Sequence, residues 1–245
     1  MKKQSIVIFV VVYLVCSNML FAQVDRPRRV DIGLFAGPSV DWCVTSTHNY
    51  KTTGVKGGGV YGLNIDISMV QTSSNYYFST GINARHIRYG LKYNDNYTFL
   101  NELNVTETLK RIDINSTYNT VYVSIPTAIK LKTNDFGRFI IFGLVGLEHG
   151  IAVSSKSNDE ITRNDGTKKK IEKVNHYKET TIFKESLYVV LGTEFIIQDN
   201  TKATFGIGYD FGFNNMFRKK YKNTVTEQSV NARAHRIEFQ FGIIF

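Results

Sequence analysis

Three histidines, His86, His149 and His235, each stand toward one end of a segment in which apolar residues alternate with polar ones, and Glu148 precedes His149 directly. An imidazole beside an acid and a hydroxyl is the arrangement that activates a nucleophile for ester hydrolysis. Adjacent strand residues point to opposite faces, so Glu148 and His149 cannot work as a pair without a bulge. The chain also contains no GxSxG elbow and no HExxH pair. A histidine at the end of an amphipathic strand is more often an interfacial residue than a catalyst. The sequence is therefore read as non-enzymatic, with no catalytic, cofactor or metal set.

The other groups able to do chemistry are charges of both signs: Asp66, Arg85, Lys130, Lys132, Glu194, Asp210, Arg236 and Glu238, with Asn83 among them. In 57–70, Tyr61, Leu63, Ile65, Ile67 and Met69 alternate with Gly62, Asn64, Asp66 and Ser68. In 202–213, Ala203, Phe205, Ile207, Tyr209, Phe211 and Phe213 alternate with Thr204, Gly206, Gly208, Asp210 and Gly212. A period of two with one dry and one wet face is that of a β-strand. Charges taken out of bulk water must be paired and hydrogen-bonded. Their expected role is structural, as a polar network inside a closed sheet.

The same period places eight strands, at 31–42, 57–70, 76–89, 118–132, 139–153, 183–197, 202–213 and 231–245. The connections 71–75, 133–138 and 198–201 are short and rich in turn-forming residues, whereas 43–56, 90–117, 154–182 and 214–230 are long. The mean hydropathy of −0.18 is that of a water-soluble chain. No run after residue 23 approaches the roughly 20 apolar residues that a spanning helix needs. An antiparallel barrel in a membrane satisfies both facts, because every second residue faces a polar interior. Strands of about ten residues tilted by about 40° cover roughly 25 Å, the height of the apolar band. A secreted lipocalin-like barrel would alternate too, with its apolar face inward. Glycines sharing faces with Asp66, Asp210 and Glu238, aromatics near strand ends and the loop asymmetry favour lipid outside.

The first residues supply an address. Lys2 and Lys3 form a positive region, 6–15 are unbroken apolar residues, and Leu20-Phe21-Ala22 precede Gln23. Residues 1–22 are expected to be a secretory signal peptide, 23–30 a periplasmic segment and 31–245 the barrel. Lipoprotein processing at Cys16 would want a small residue where Val15 stands. Cleavage after Ala22 leaves Cys43 as the one mature cysteine, so no disulfide is expected. Losing Lys2 and Lys3 lowers the net charge by two from +9, to +7.

The last strand alternates strictly. Ile237, Phe239, Phe241, Ile243 and Phe245 share one face, and Arg236, Glu238 and Gln240 lie on the other. This resembles the closing strand of bacterial outer-membrane barrels, whose terminal Phe is part of the signal read by the barrel-assembly machinery; the resemblance implies that role for Phe241, Ile243 and Phe245. An even strand number puts both termini at the short periplasmic turns and the four long loops outside. Tyr76, Phe78, Phe139, Phe195 and Phe245 are expected as the periplasmic aromatic girdle, with Tyr89, Tyr118 and Phe213 near the outer one. An interior this narrow is filled by side chains, so no open pore is expected.

Residues 122–150 read YVSIPTAIKLKTNDFGRFIIFGLVGLEHG. An aromatic, Ile-Pro, the Lys130 and Lys132 pair, a turn with Gly137, then Gly143 and Gly146 resemble the central hairpin of the PorT family, eight-stranded outer-membrane proteins of Bacteroidota. The resemblance implies an accessory or assembly role in type IX secretion, the export of proteases and adhesins, and partners among the components of that system. The broader reading is an OmpX-like surface barrel for adhesion or envelope stability, with a lipid-modifying enzyme behind both. Pro126 cannot donate to a strand ladder and marks a bulge or an open hydrogen bond, its ring facing the lumen with Ser124 and Ala128. Among the loops, 90–117 carries Tyr93, Tyr97, Phe99, Leu100 and Leu103, an apolar content that must pack on something. Lys168, Lys169 and Lys170 form one basic cluster, and Arg218, Lys219, Lys220 and Lys222 another. Cations beside membrane lipids and anionic lipopolysaccharide explain these clusters. The secretory address removes nucleic acid as a partner.

Overall fold

A computed structural model of the chain describes residues 30–70, 75–100, 106–163, 166–198, 201–219 and 221–245, with side chains described outside 97–100 and 106–111. The expected signal peptide and its cleavage site lie outside these residues. The described residues form ten strands: β1 (Val30–Thr45), β2 (Lys51–Thr52), β3 (Lys56–Ser68), β4 (Tyr76–Leu100), β5 (Thr106–Lys132), β6 (Phe139–Thr162), β7 (Lys168–Asn175), β8 (Phe183–Gln198), β9 (Thr201–Gly212) and β10 (Ala232–Ile244). Eight of them form a closed antiparallel ring, in the order β1, β3, β4, β5, β6, β8, β9, β10 and back to β1. The two short strands lie off the ring, β2 beside β4 and β7 beside β6.

The ladder can be followed once round the wall. Asp31 faces Asp66, then Ser79, Ala128, Gly146, Tyr188, Asp210 and Arg236, and the row returns to β1 at Asp41, a stagger of ten residues from Asp31. A stagger of this size tilts the strands by about 40° and leaves room for side chains but not for a passage. Phe245 completes the closure: its N–H donates to the Ile32 carbonyl at 2.8 Å and its carbonyl accepts from the Ile32 N–H at 3.3 Å.

The alternation sorts side chains as the dry and wet faces require. Leu34, Tyr61, Ile82, Ile129, Ile141, Leu191, Ile207 and Phe241 are exposed on the outer wall, and the charged face is turned inward. Tyr76, Phe78, Phe139 and Phe245 stand exposed at the turn end, and Phe213 at the other. Two girdle expectations are corrected: Tyr89 and Tyr118 point inward, fully buried and stacked at 5.0 Å between centroids. Parity decides this, since Tyr89 shares its face with Asn83 and Arg85, and Tyr118 with Lys130 and Lys132. The outer rim is built instead by Trp42, Tyr209 and Phe211 around His235, and by Tyr61 beside His86.

Three of the long connections are also corrected. Most of 90–117 continues β4 and β5 as a tall hairpin, 154–182 continues β6 and adds β7, and 43–56 adds β2. Period two persists there in Leu91 and Tyr93 against Ile112 and Ile114, all buried, although Asn and Asp between them look like turn composition. These residues join Cys43, Tyr50, Tyr89, Tyr118, Tyr122, Met216, Phe217 and Val230 in an apolar cluster above the charged lumen. Tyr97, Phe99, Leu100 and Leu103 lie outside the described side chains.

Pro126 is half-buried between Ser124 and Ala128, and the β4–β5 ladder is open opposite it, at Thr80–Ile82. The register sets Gly81 across from Pro126. Gly81 has φ 153°, and a Cβ there would lie 2.0 Å from the Leu63 carbonyl oxygen. Gly81→Val is therefore expected to cost roughly 3 kcal/mol or more. The check is the fraction of unboiled protein that keeps folded-barrel mobility on gels after refolding into detergent.

Candidate functional site: the ion-paired lumen

Inward positions of six strands bring together the charges that the sequence distributes over 170 residues. Asp66, Arg85, Lys130, Glu194, Asp210, Arg236 and Glu238 are all at most 2% exposed, and Lys132 is 6% exposed. They form two clusters. In the lower one, Lys130 lies 2.6 Å from Asp66 and 2.8 Å from Glu194, and Lys132 lies 3.1 Å from both Glu194 and Asp31. Lys202 approaches Asp31 at 3.7 Å and Glu194 at 3.6 Å. Ser79 donates to Asp66 at 2.6 Å. The two lysines also sit over aromatic rings, Lys130 over Phe142 at 4.4 Å and Lys132 over Tyr77 at 4.2 Å, which replaces part of their lost hydration.

The upper cluster turns on Arg85. Its guanidinium reaches Glu148 of β6 and Glu238 of β10, both at 2.5 Å, and Asp210 of β9 at 3.6 Å. It stacks over the Tyr188 ring at 4.7 Å, and the Tyr188 hydroxyl donates to Glu238 at 2.8 Å. Arg236 binds Asp41 at 2.8 Å and donates to the His86 carbonyl at 2.7 Å. Lys184 holds Asp210 at 2.8 Å. Among the described residues this cluster sets four carboxylates, Asp41, Glu148, Asp210 and Glu238, against three cations; the lower one sets three against three.

Above the charges, the apolar cluster closes the outer end. Phe217, from the connection after β9, stands edge-on to Tyr89 and Tyr118 at 6.3 and 5.4 Å. Asn223 fastens that connection by donating to the Asn94 carbonyl at 2.8 Å and the Tyr50 hydroxyl at 3.2 Å. Burial pushes the hydroxyls of Tyr50 and Tyr221, both in the outer loops, well above the ordinary range. Side chains from opposite walls thus meet across the lumen at both levels.

The sequence profile of the outer membrane protein beta-barrel domain family matches residues 21–218. The chain belongs to this family. No curated protein matches it in sequence. Its fold is similar to that of Ail, the attachment invasion locus protein of Yersinia pestis, at 12% identity and TM-score 0.34, over 89% of this chain and 100% of that one. Neisserial surface protein A is similar at 10% identity and TM-score 0.40, over 88% and 95%. The outer membrane protease OmpT of Escherichia coli is similar at 9% identity and TM-score 0.38, over 89% and 95%. As a member of the family this is an outer-membrane β-barrel, and barrels of that compartment keep their short turns in the periplasm.

Sequence reasoning missed Asp31, Asp41, Lys184 and Lys202 in this outer-membrane barrel, and it weighed Glu148 only as a neighbour of His149. Parity would have found Glu148, which shares its face with Ile140 and Phe142, both buried. Glu148 goes inward to Arg85, while His149 goes outward and meets Glu185 on the next strand at 2.6 Å. His86 and His235 also face outward at the rim.

Arg85→Met would take from Glu148 and Glu238 their nearest cation, while Lys184 still holds Asp210, and is expected to lower unfolding stability by about 3–5 kcal/mol. Glu148→Gln keeps an acceptor for Arg85 and removes the surplus negative charge, so its effect should stay within about 1 kcal/mol. Urea unfolding in lipid vesicles, followed by tryptophan fluorescence of Trp42, measures both.

Proposed function

We propose that this barrel is an accessory or assembly component of the type IX protein secretion system rather than a conduit. The observation that carries the non-conduit half is the filled lumen, in which Arg85, Glu148 and Glu238 meet from three walls. A peptide cannot pass without breaking buried ion pairs, and each break costs several kcal/mol. The secretion half is supported by the likeness of the 122–150 hairpin to the PorT family, which is associated with that system. In this reading Phe241, Ile243 and Phe245 are the segment taken up by the barrel-assembly machinery, and Phe245 lies where β10 meets β1.

A surface barrel for adhesion or envelope stability is the second reading. It is favoured by the height of β4–β5 and of β6–β7 above the wall, with the exposed Lys168 and Lys170 on β7. Arg88 and Arg233, exposed just above the rim, would meet anionic lipopolysaccharide in either case.

Two measurements separate the possibilities. In planar bilayers the purified protein is expected to show no steady large openings, and such openings would defeat the filled-lumen view. A deletion strain is expected to retain proteases that the wild type exports. Normal export without this protein would reject the secretion role and leave the adhesion reading.

A further inference from the structure

Above the apolar band the tall hairpins have an inner and an outer face, and the outer one is polar. Asn115 and Thr117 of β5, Asn158 and Glu160 of β6, and Lys170 and Glu172 of β7 point away from the lumen. Parity requires this, because Ile114, Ser116, Ser157, Asp159 and Ile161, which alternate with them, are buried. The ladders set Thr117 beside Asn158, and Asn115 beside Glu160 and then Lys170. Between Ile171 and Val174 the register slips, so that Glu172 and Lys173 together oppose Asn158 alone. A bulge of this kind bends the strand that carries the extra residue. A pocket of about 230 Å³ opens at this point, lined by the six outward residues with Asp159 and Ile171.

The bend carries a strain that a merely solvated surface has no need of. Lys173 adopts φ 58°, in the left-handed region that disfavours a residue with a Cβ. Asn158 holds it there, its Oδ1 accepting from the Lys173 N–H at 3.0 Å. That leaves the amide NH2 of Asn158 as a donor at the pocket. The outward carboxylates, Glu160 and Glu172, are matched by two lysines: Lys168 lies 3.1 Å from Glu160, and Lys170 faces Glu160 across the ladder. So balanced a lining favours neither a phosphate nor a metal ion. It contains no aromatic ring, and Ile171 is its one aliphatic side chain, which suits neither a flat nor an apolar ligand. Amides, hydroxyl, carboxylates and ammonium side by side offer donors and acceptors in alternation, the pattern that the neighbouring hydroxyls of a sugar ring complete.

Size and position agree with a sugar. The volume of about 230 Å³ is the space of roughly seven waters at about 30 Å³ each, room for a single ring with its hydroxyls. Thr117 is four residues beyond Val121, the ladder partner of the rim residue His86. Four residues at about 3.3 Å each, tilted by about 40°, put the pocket roughly 10 Å above the rim. There it opens sideways, along the membrane, into the layer occupied by the sugars of outer-leaflet lipopolysaccharide.

We propose that this pocket binds one sugar ring of a glycan, with Asn115, Thr117 and Asn158 hydrogen-bonding its hydroxyls. Because the face looks along the membrane, lipopolysaccharide of the same leaflet is the source that the geometry favours; a glycan of another cell would offer the same chemistry. The inference goes beyond the secretion reading and needs only that the barrel stand in the outer membrane.

The test is saturation-transfer NMR on the mature barrel refolded in detergent, with two probes. One is the core oligosaccharide freed from the lipid of the native strain's lipopolysaccharide by mild acid; the other is a set of oligosaccharides from mammalian cell surfaces. The expected result is saturable transfer to the first probe. Its Kd should rise about threefold in Thr117→Val, which keeps the shape of the side chain, and about tenfold or more when Asn115→Leu is added. Lys219→Ala, on another loop, should leave it unchanged. Gel mobility of unboiled samples verifies that the variants are folded barrels. Saturable binding of the second probe alone, weakened in the same variants, keeps the site and assigns its sugar to another cell. Absence of saturable binding by either probe, or binding that both pocket variants leave unchanged, overturns the proposal. Because the readout is sugar binding and not export, its failure is distinguishable from failure of the secretion role.

Discussion

The guanidinium of Arg85, held between Glu148 and Glu238 across the lumen, is the interaction on which the rest of the barrel depends. A ring of eight strands with a stagger of ten leaves an interior that must be filled by side chains. In a membrane protein whose outer face is apolar, the polar half of every strand has nowhere else to go. Charges gathered in so small a volume are tolerable only if each meets its opposite, and Arg85 meets three carboxylates from three strands. The wall shows the same constraint in reverse. Gly208 lies beside this hub, and a Cβ there would come within 3.0 Å of the Glu238 side chain.

The ionic order follows the geometry of the wall. The ladder row that climbs from Asp31 to Asp41 passes Asp66, Tyr188, Asp210 and Arg236, so the tilt winds acids and bases past one another. Above them the tall hairpins carry aromatic residues over the lumen and Phe217 completes the cover. A molecule filled at both levels has its surfaces left for work. Those are the sheet that rises above the membrane and the lipid-facing wall.

Much of this was legible in the alternation itself. The strict period of the last strand and the opposed faces of 57–70 and 202–213 lead to an antiparallel barrel with charges inward. The eight candidate lumen residues all lie on the inner face. The errors share one cause. Place near a strand end puts Tyr89 and Tyr118 in the girdle, whereas parity turns both inward. Asn and Asp content marks the connections as loops, although Leu91, Tyr93, Ile112 and Ile114 keep the strand period through them. A short-range reading sees turn-forming residues, whereas a tall hairpin tolerates them once its inner face is buried.

Which face of each strand is wet follows from the residues alone, because that needs only a period of two and the chemistry of the side chains. Which charge meets which was decided by the tertiary structure alone. Arg85 and Glu238 are separated by 153 residues, and nothing in either neighbourhood names the other. Their meeting requires the ring to close with one particular stagger, and that stagger is a property of all eight ladders together. The same holds for His149, whose acid is not the adjacent Glu148 but Glu185 across the ladder, because neighbours along a strand face apart and neighbours across it face together.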